Sequence, residues 1–262
     1  MREPGLNEAI RAAGGVSELA RRLGISQPSV SNWERIPAER VASVEAATGI
    51  DRTRLRPDLF TEPATGETID ETDAARAREY ALLATLLART PGRDLLAKLA
   101  QLKVDASPLG FAHASLAEAA GATDSTRVER EFFNLFIGIG RGEVMPYGSY
   151  YLTGFLHERP LARLRGDLAE LGIVRAEGQY EPEDHIAILC EVMAGLADGR
   201  FGLPPGADPR LSEKNFFDRH LAWARRFFVD LERAAAADFY RSVAAVGRTF
   251  IEIETEAFAL PS

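Results

Sequence analysis

Between Val16 and Trp33 the sequence VSELARRLGISQPSVSNW spaces its apolar residues as two short helices joined by a tight turn, and no other segment constrains the fold as strongly. Leu19, Ala20 and Leu23 give the first helix an inward stripe, Gly24 permits the turn, Ile25 plugs it, and Val30 and Trp33 give the second helix its own inward stripe. Ser26 is placed to cap that second helix, with Pro28 in the first turn, where a missing N–H costs least. The outward face is left to Gln27, Pro28, Ser31, Asn32 and Arg35, mostly hydrogen-bonding side chains suited to base edges and phosphates. A bihelical DNA-reading unit is the expectation.

Charge qualifies that expectation. Residues 1–60 hold nine Arg against eight Asp or Glu, a balance of +1, so the other 202 residues carry −9 of the chain's net −8. Dedicated DNA-binding domains are usually more basic, whereas an acidic second domain suits a cationic partner. At 262 residues the chain has room for one good-sized domain and a small one. No apolar run approaches the roughly 18 residues of a membrane span, and MREPGLNEAIRAAGG lacks the apolar core of an export signal. One cysteine, Cys190, forms no internal disulfide, so the cytoplasm is the expected compartment.

From Thr61 to Asp73, TEPATGETIDETD has five acids and no base, the composition of a solvated linker. Beyond it, apolar residues recur at helical spacing: Tyr80, Leu83 and Leu87; Phe132, Leu135 and Phe136; Leu161, Leu164 and Leu168; Ile186, Leu189 and Met193; Tyr240, Val243, Val246 and Phe250. The expected architecture is all-α: a small domain over 1–60, the linker over 61–73, and a helical domain of eight or more helices over 74–262. Three loops interrupt it, at 138–149, 176–182 and 202–210.

In EPEDHIAILCEVMAGL, residues Glu181 to Asp184 read as an acidic, proline-led helix start, with His185 at the edge of the apolar face and Asp184 sharing a face with Glu191. Asp184 and His185 could form an acid-base pair, or mark a capped helix with one hydrogen-bonded histidine. His113, His157, His185 and His220 lack metal-ligand spacing, and no nucleophile elbow, P-loop or GxGxxG follows a strand. Neither catalytic residues, metal nor cofactor is expected; the composition favours a binding protein.

Two family resemblances sharpen this. LNEAIRAAGG before the bihelical segment and IPAERVASVEAATGIDRTRLRPDLF after it make residues 1 to about 60 resemble the YdaS or Cro-like family of phage-type repressor domains. EFFNLFIG, EVMPYGSYYLTG, EPEDHIAILCEVMAGL and the tail FFDRHLAWARRFFVDLERAAAADFYRSVAAVGRTFIEIE resemble, in order, four blocks of the TorD/DmsD-type chaperones. The second resemblance implies an all-helical cytoplasmic chaperone that binds the twin-arginine signal peptide of an exported molybdoenzyme, formate dehydrogenase being one such client. It implies a peptide groove of Phe132, Leu135, Phe136, Pro146, Tyr147, Ser149, Tyr151, Glu181, Asp184 and His185. A cationic pair followed by an apolar stretch independently calls for carboxylates beside aromatics, and Asp184, Glu183 and Glu191 are the carboxylates the sequence offers. Met145 stands where many relatives have a second proline, and Tyr147 where some have tryptophan. The alternative is a transcriptional regulator whose helical domain serves only as a sensor or dimeriser. A homodimer fits either, and membrane insertion fits neither.

Overall fold

A computed structural model describes residues 3–37, 40–56, 70–175, 181–201 and 209–260, with the side chains of 209–211 outside that description. The linker expected over 61–73 falls outside it as far as residue 69, as do most of the loops at 176–182 and 202–210. The chain divides into two compact units, residues 1–68 and 69–262.

The first unit contains α1 (Pro4–Ala13), α2 (Val16–Leu23), α3 (Gln27–Ser31), α4 (Val41–Thr48) and α5 (Arg52–Leu55). Leu6, Leu19, Val30, Ile36, Val44 and Leu55 form its buried centre, with Leu23, Ile25 and Trp33 packed against it. Gly24 takes φ +67°, the left-handed conformation the α2–α3 turn requires, and Ser26 caps α3 through Oγ. The second helix is shorter than the apolar spacing implies. It stops at Ser31, and Trp33 lies beyond it, because the Glu34 carbonyl accepts the Glu3 N–H at 2.8 Å and the chain must turn to bury Ile36.

The second unit runs α6 (Glu71–Ala88), α7 (Arg93–Leu99), α8 (Pro108–Ala122), α9 (Ser125–Phe132), α10 (Gly148–Thr153), α11 (Arg159–Glu170), α12 (Ile186–Ala197), α13 (Pro209–His220), α14 (Ala224–Arg233) and α15 (Phe239–Ala259). Helix α12 is apolar almost all round and correspondingly buried, packed against α6, while α15 packs on α8 and α14. Between α6, α13 and α15, the Arg76 guanidinium bridges Glu213 and Glu254, each at 2.7 Å, and Tyr80 Oη donates to Glu254. No strand forms among the described residues; a single antiparallel bridge joins Tyr147 and His185. No helix there is long and apolar enough to cross a membrane.

Candidate functional site

The site begins where α9 runs into a π-helical turn over Phe133–Ile137, closed by the Gly138 N–H on the Phe133 carbonyl at 2.7 Å. Such turns widen a helix by one residue and are frequent at functional sites. Ahead of it, the buried Glu131 carboxylate accepts the backbone N–H groups of Asp238, Phe239 and Tyr240 at 2.8, 3.1 and 2.6 Å, capping α15. Burial raises the Glu131 pKa, and these three donors pull it back. Glu143 likewise accepts from Ala235 and Ala236, so two acids clamp the corner between α14 and α15. Sequence reasoning passed over both, since an acid beside an aromatic run, as Glu131 is, or in a glycine-rich loop, as Glu143 is, looks solvated.

The loop after the π turn is fastened to the start of α12 by backbone. Gly148 N–H donates to the Asp184 carbonyl at 2.9 Å and Ile186 N–H to the Pro146 carbonyl at 2.8 Å. The Asp184 carboxylate then accepts the Ser149 N–H at 2.7 Å, opening α10. Gly148 allows this closeness: a Cβ there would lie 2.9 Å from the Trp223 indole nitrogen, which itself donates to the His220 carbonyl.

This corrects the helix start expected at Glu181–Asp184. Helix α12 begins at Ile186, and His185 is its N-cap, its Nδ1 accepting the Ala187 N–H at 3.1 Å. The proton therefore sits on Nε2, and burial holds the imidazole neutral with a pKa lowered to about 4. Asp184 precedes the helix and shares no face with Glu191. With Asp184 3% and His185 8% exposed, both serve the loop's architecture, which leaves no room for a solvent-facing acid-base pair. Asp184 Oδ1 and Ser149 Oγ are buried with no hydrogen-bond partner among the described residues.

The aromatics also divide. Leu135 is fully buried, and Phe132 and Phe136 are half-buried around Tyr240, with ring centroids 5.8 and 5.4 Å from it. That periodic triplet marks the core-facing side of its segment. The side it leaves to solvent is Phe133 and Ile137, followed by Ile139, which is 99% exposed. Leu152 near the end of α10 and Phe155 just beyond it are exposed too, Phe155 at 70%. Between these apolar groups, Arg141 donates to Tyr150 Oη at 2.9 Å and lies over its ring.

Two tyrosines meet carboxylates. Tyr147 packs edge-on against His185 and donates to Glu181 Oε2 at 2.7 Å. Tyr151 stacks on Trp223 at 5.1 Å and donates to Asp230 Oδ2 at 2.9 Å. Burial, reinforced by the neighbouring carboxylate, pushes both phenols well above their ordinary pKa, so each remains a donor. Glu183, by contrast, is engaged by Arg165 at 2.9 Å and Arg175 at 3.7 Å, and Glu191 is exposed on α12. Asp230 carried no sequence signal, lying 79 residues from its tyrosine.

Residues 103–229 match the family described as nitrate reductase delta subunit, and residues 6–64 match the bacterial toxin YdaS family. The chain is 31% identical over 119 residues to the probable Tat proofreading chaperone DmsD of Haemophilus influenzae, a stretch covering 45% of this chain and 55% of that protein. It is 28% identical over 127 residues to the chaperone protein TorD of Vibrio cholerae, covering 47% and 58%. The YdaS protein of Escherichia coli K12 is 41% identical over 58 residues, 20% of this chain and 59% of that one. The first region is thus similar to YdaS and the second to the TorD/DmsD chaperones. The matched segments span a little over half the length of these relatives. The whole buckle of Pro146–Ser149 against Asp184–Ile186 falls inside the TorD/DmsD-type region, as does the Tyr151–Asp230 pair but for its last residue.

The YdaS-like region presents Gln27, Pro28, Asn32 and Arg35 to solvent, with Ser31 half-buried and accepting from the Gln27 amide at 2.9 Å. Helix α3 has five residues, about 7.5 Å of rise, so one short turn and the residues after it carry this face.

Proposed function

We propose that the second unit is a maturation chaperone that binds the twin-arginine signal peptide of an exported molybdoenzyme in the cytoplasm, formate dehydrogenase being one candidate client. What supports this best is that the same unit exposes apolar groups, Phe133, Ile137 and Phe155, and two carboxylates, Glu181 and Asp230, whose side-chain hydrogen-bond partners among the described residues are tyrosine hydroxyls. A leader of that class offers an arginine pair and an apolar stretch, and each finds its chemical complement here. Phe132, Leu135, Phe136, Pro146, Ser149, Asp184 and His185 contribute by shaping the surface from beneath; Tyr147, Tyr151 and Glu181 contribute contacts. The relatives named for this work are chaperones, and we assign no enzymatic activity.

The first unit we assign to DNA binding through Gln27, Pro28, Ser31, Asn32 and Arg35, as a homodimer, which would let client occupancy influence transcription. The fold of α2 and α3 and the YdaS match support it.

Calorimetric titration of the full chain with a synthetic twin-arginine leader tests the chaperone assignment. Dissociation constants in the micromolar range or below are expected, weakening about tenfold or more when both arginines become alanine. Equal affinity for the two peptides would overturn it in favour of a regulator whose helical unit only senses or dimerises.

A further inference from the structure

We infer that Asp230, presented by Tyr151, is the second of two cation acceptors on the peptide surface, so that the two arginines of a leader divide between Glu181 and Asp230. The inference rests on the peptide-binding assignment and names residues that determine its specificity.

Many carboxylates of the second unit are spent on arginines or on backbone amides: Glu213 and Glu254 hold Arg76, Asp167 holds Arg219 and His220, Glu232 and Glu252 hold Arg248, and Glu131, Glu143 and Asp184 cap backbone N–H groups. Others, Glu191 among them, are simply exposed. Glu181 and Asp230 differ. Each accepts one hydrogen bond from a tyrosine hydroxyl, and neither has an ion-pair partner among the described residues. A neutral donor orients one oxygen and leaves the charge and the other oxygen for a guanidinium fork.

The two holders are neighbours by construction. Tyr147 is the N-cap of α10 and Tyr151 lies within it, the Tyr151 N–H donating to the Tyr147 carbonyl at 3.3 Å, so the two holders are one turn apart along the chain. Both rings are braced, Tyr147 by His185 and Tyr151 by Trp223. Arg226, a cation on α14, lies over the Tyr151 ring and spends its guanidinium on the Tyr151 carbonyl. Arg175 is similarly engaged by the Glu181 carbonyl and by Glu183. Buried beneath the same turn, the unpartnered Asp184 Oδ1 adds negative potential without meeting solvent. Leu152 and Phe155, exposed from the end of α10 onward, extend the surface in apolar form beyond the second acceptor.

The test is a set of double-mutant cycles on the full chain, with titration of the twin-arginine leader and its two single Arg→Ala forms against wild type, Asp230→Asn and Glu181→Gln. Asp230→Asn should weaken the parent leader about tenfold. One single-alanine leader should then lose nothing further on Asp230→Asn, and the other nothing further on Glu181→Gln. Tyr151→Phe, which keeps the ring but frees Asp230, should reproduce part of the Asp230→Asn loss. If Asp230→Asn binds the parent leader as wild type does, or its loss adds fully to both arginine losses, Asp230 is not an acceptor, although peptide binding stands. If the wild-type chain shows no arginine-dependent binding, the underlying assignment fails and this inference with it. Unchanged helical circular dichroism of each variant confirms that the readout concerns binding.

Discussion

Asp184 opens helix α10 from across the chain, its Oδ2 accepting the Ser149 N–H at 2.7 Å while its main-chain carbonyl accepts that of Gly148. One residue thus satisfies two consecutive amides at a helix start, from a position 35 residues away. The negative charge also sits at the positive end of those peptide dipoles.

Substituting Asp184 should therefore be felt first as lost stability. Asp184→Ala removes a charge-assisted acceptor and leaves a buried N–H unpaired, at a cost of about 2–3 kcal/mol. Asp184→Asn retains an acceptor oxygen and should cost less. Urea unfolding followed by circular dichroism measures both; wild-type stability in the alanine variant would contradict a structural role.

Gly148 is the companion test. A methyl group there meets the Trp223 indole at 2.9 Å, so Gly148→Ala must displace the ring or the loop, at about 1–3 kcal/mol. Trp223 emission should shift in the same variant, with Trp33 changed to Phe to clear the background. An unaltered spectrum would show that the loop gives way instead.

His185 predicts a pH dependence. Its pKa is lowered by burial to about 4 in the folded state against an ordinary 6.5, so the unfolded chain binds the proton more readily in between. Stability contributed by neutral His185 is complete above pH 6.5, declines as pH falls, and is gone below about 4. At about 1.4 kcal/mol per pH unit the full effect is at most about 3 kcal/mol. His185→Asn preserves an N-cap acceptor without a titrating ring, and should flatten this part of the stability–pH curve. A curve identical to wild type between pH 4 and 6.5 would remove His185 as its cause.

The contrast between Leu135 and Phe133 shows what the sequence could convey. Helical spacing marks Phe132, Leu135 and Phe136 as one stripe, and that stripe does face the protein's interior, around Tyr240. Periodicity reports burial, so it led away from Phe133 and Ile137, the side that meets solvent. The bihelical unit was legible because each of its signals is local: Gly24 at positive φ, Ser26 as cap, Leu19 and Val30 inside. What escaped detection is long-range. Pro182 suggested the start of α12, yet its carbonyl accepts the His185 N–H at 3.0 Å in a turn, because Asp184 is drawn to Gly148 and Ser149. The Tyr151–Asp230 pair is of the same kind, made by the packing of α10 on α14.

In the first unit Arg21 and Arg22 pair with Glu18, Arg35 lies 4.0 Å from Glu3, Arg52 pairs with Glu45 and Arg54 with Glu8, while Arg56 donates to the Ile36 carbonyl. Arg11 and Arg40 have no acid partner among the described residues. Exposed pairs are worth about 1 kcal/mol or less, so phosphates could compete for some of these arginines, and one copy should neutralise roughly two to four phosphates. The logarithm of affinity should then fall against that of salt with a slope near −2 to −4 for one copy, and near twice that for two copies on a pseudo-palindrome. Half-sites about 10 bp apart, or a multiple of that, would let both α3 faces reach the major groove from one side. Footprinting on the region upstream of the chain's own gene should show a two-fold symmetric site, and Asn32→Ala should reduce its preference over random duplex by about tenfold with little change in salt slope. Equal affinity for specific and random duplex at low salt would rule out operator reading and leave α3 as a surface for protein contacts.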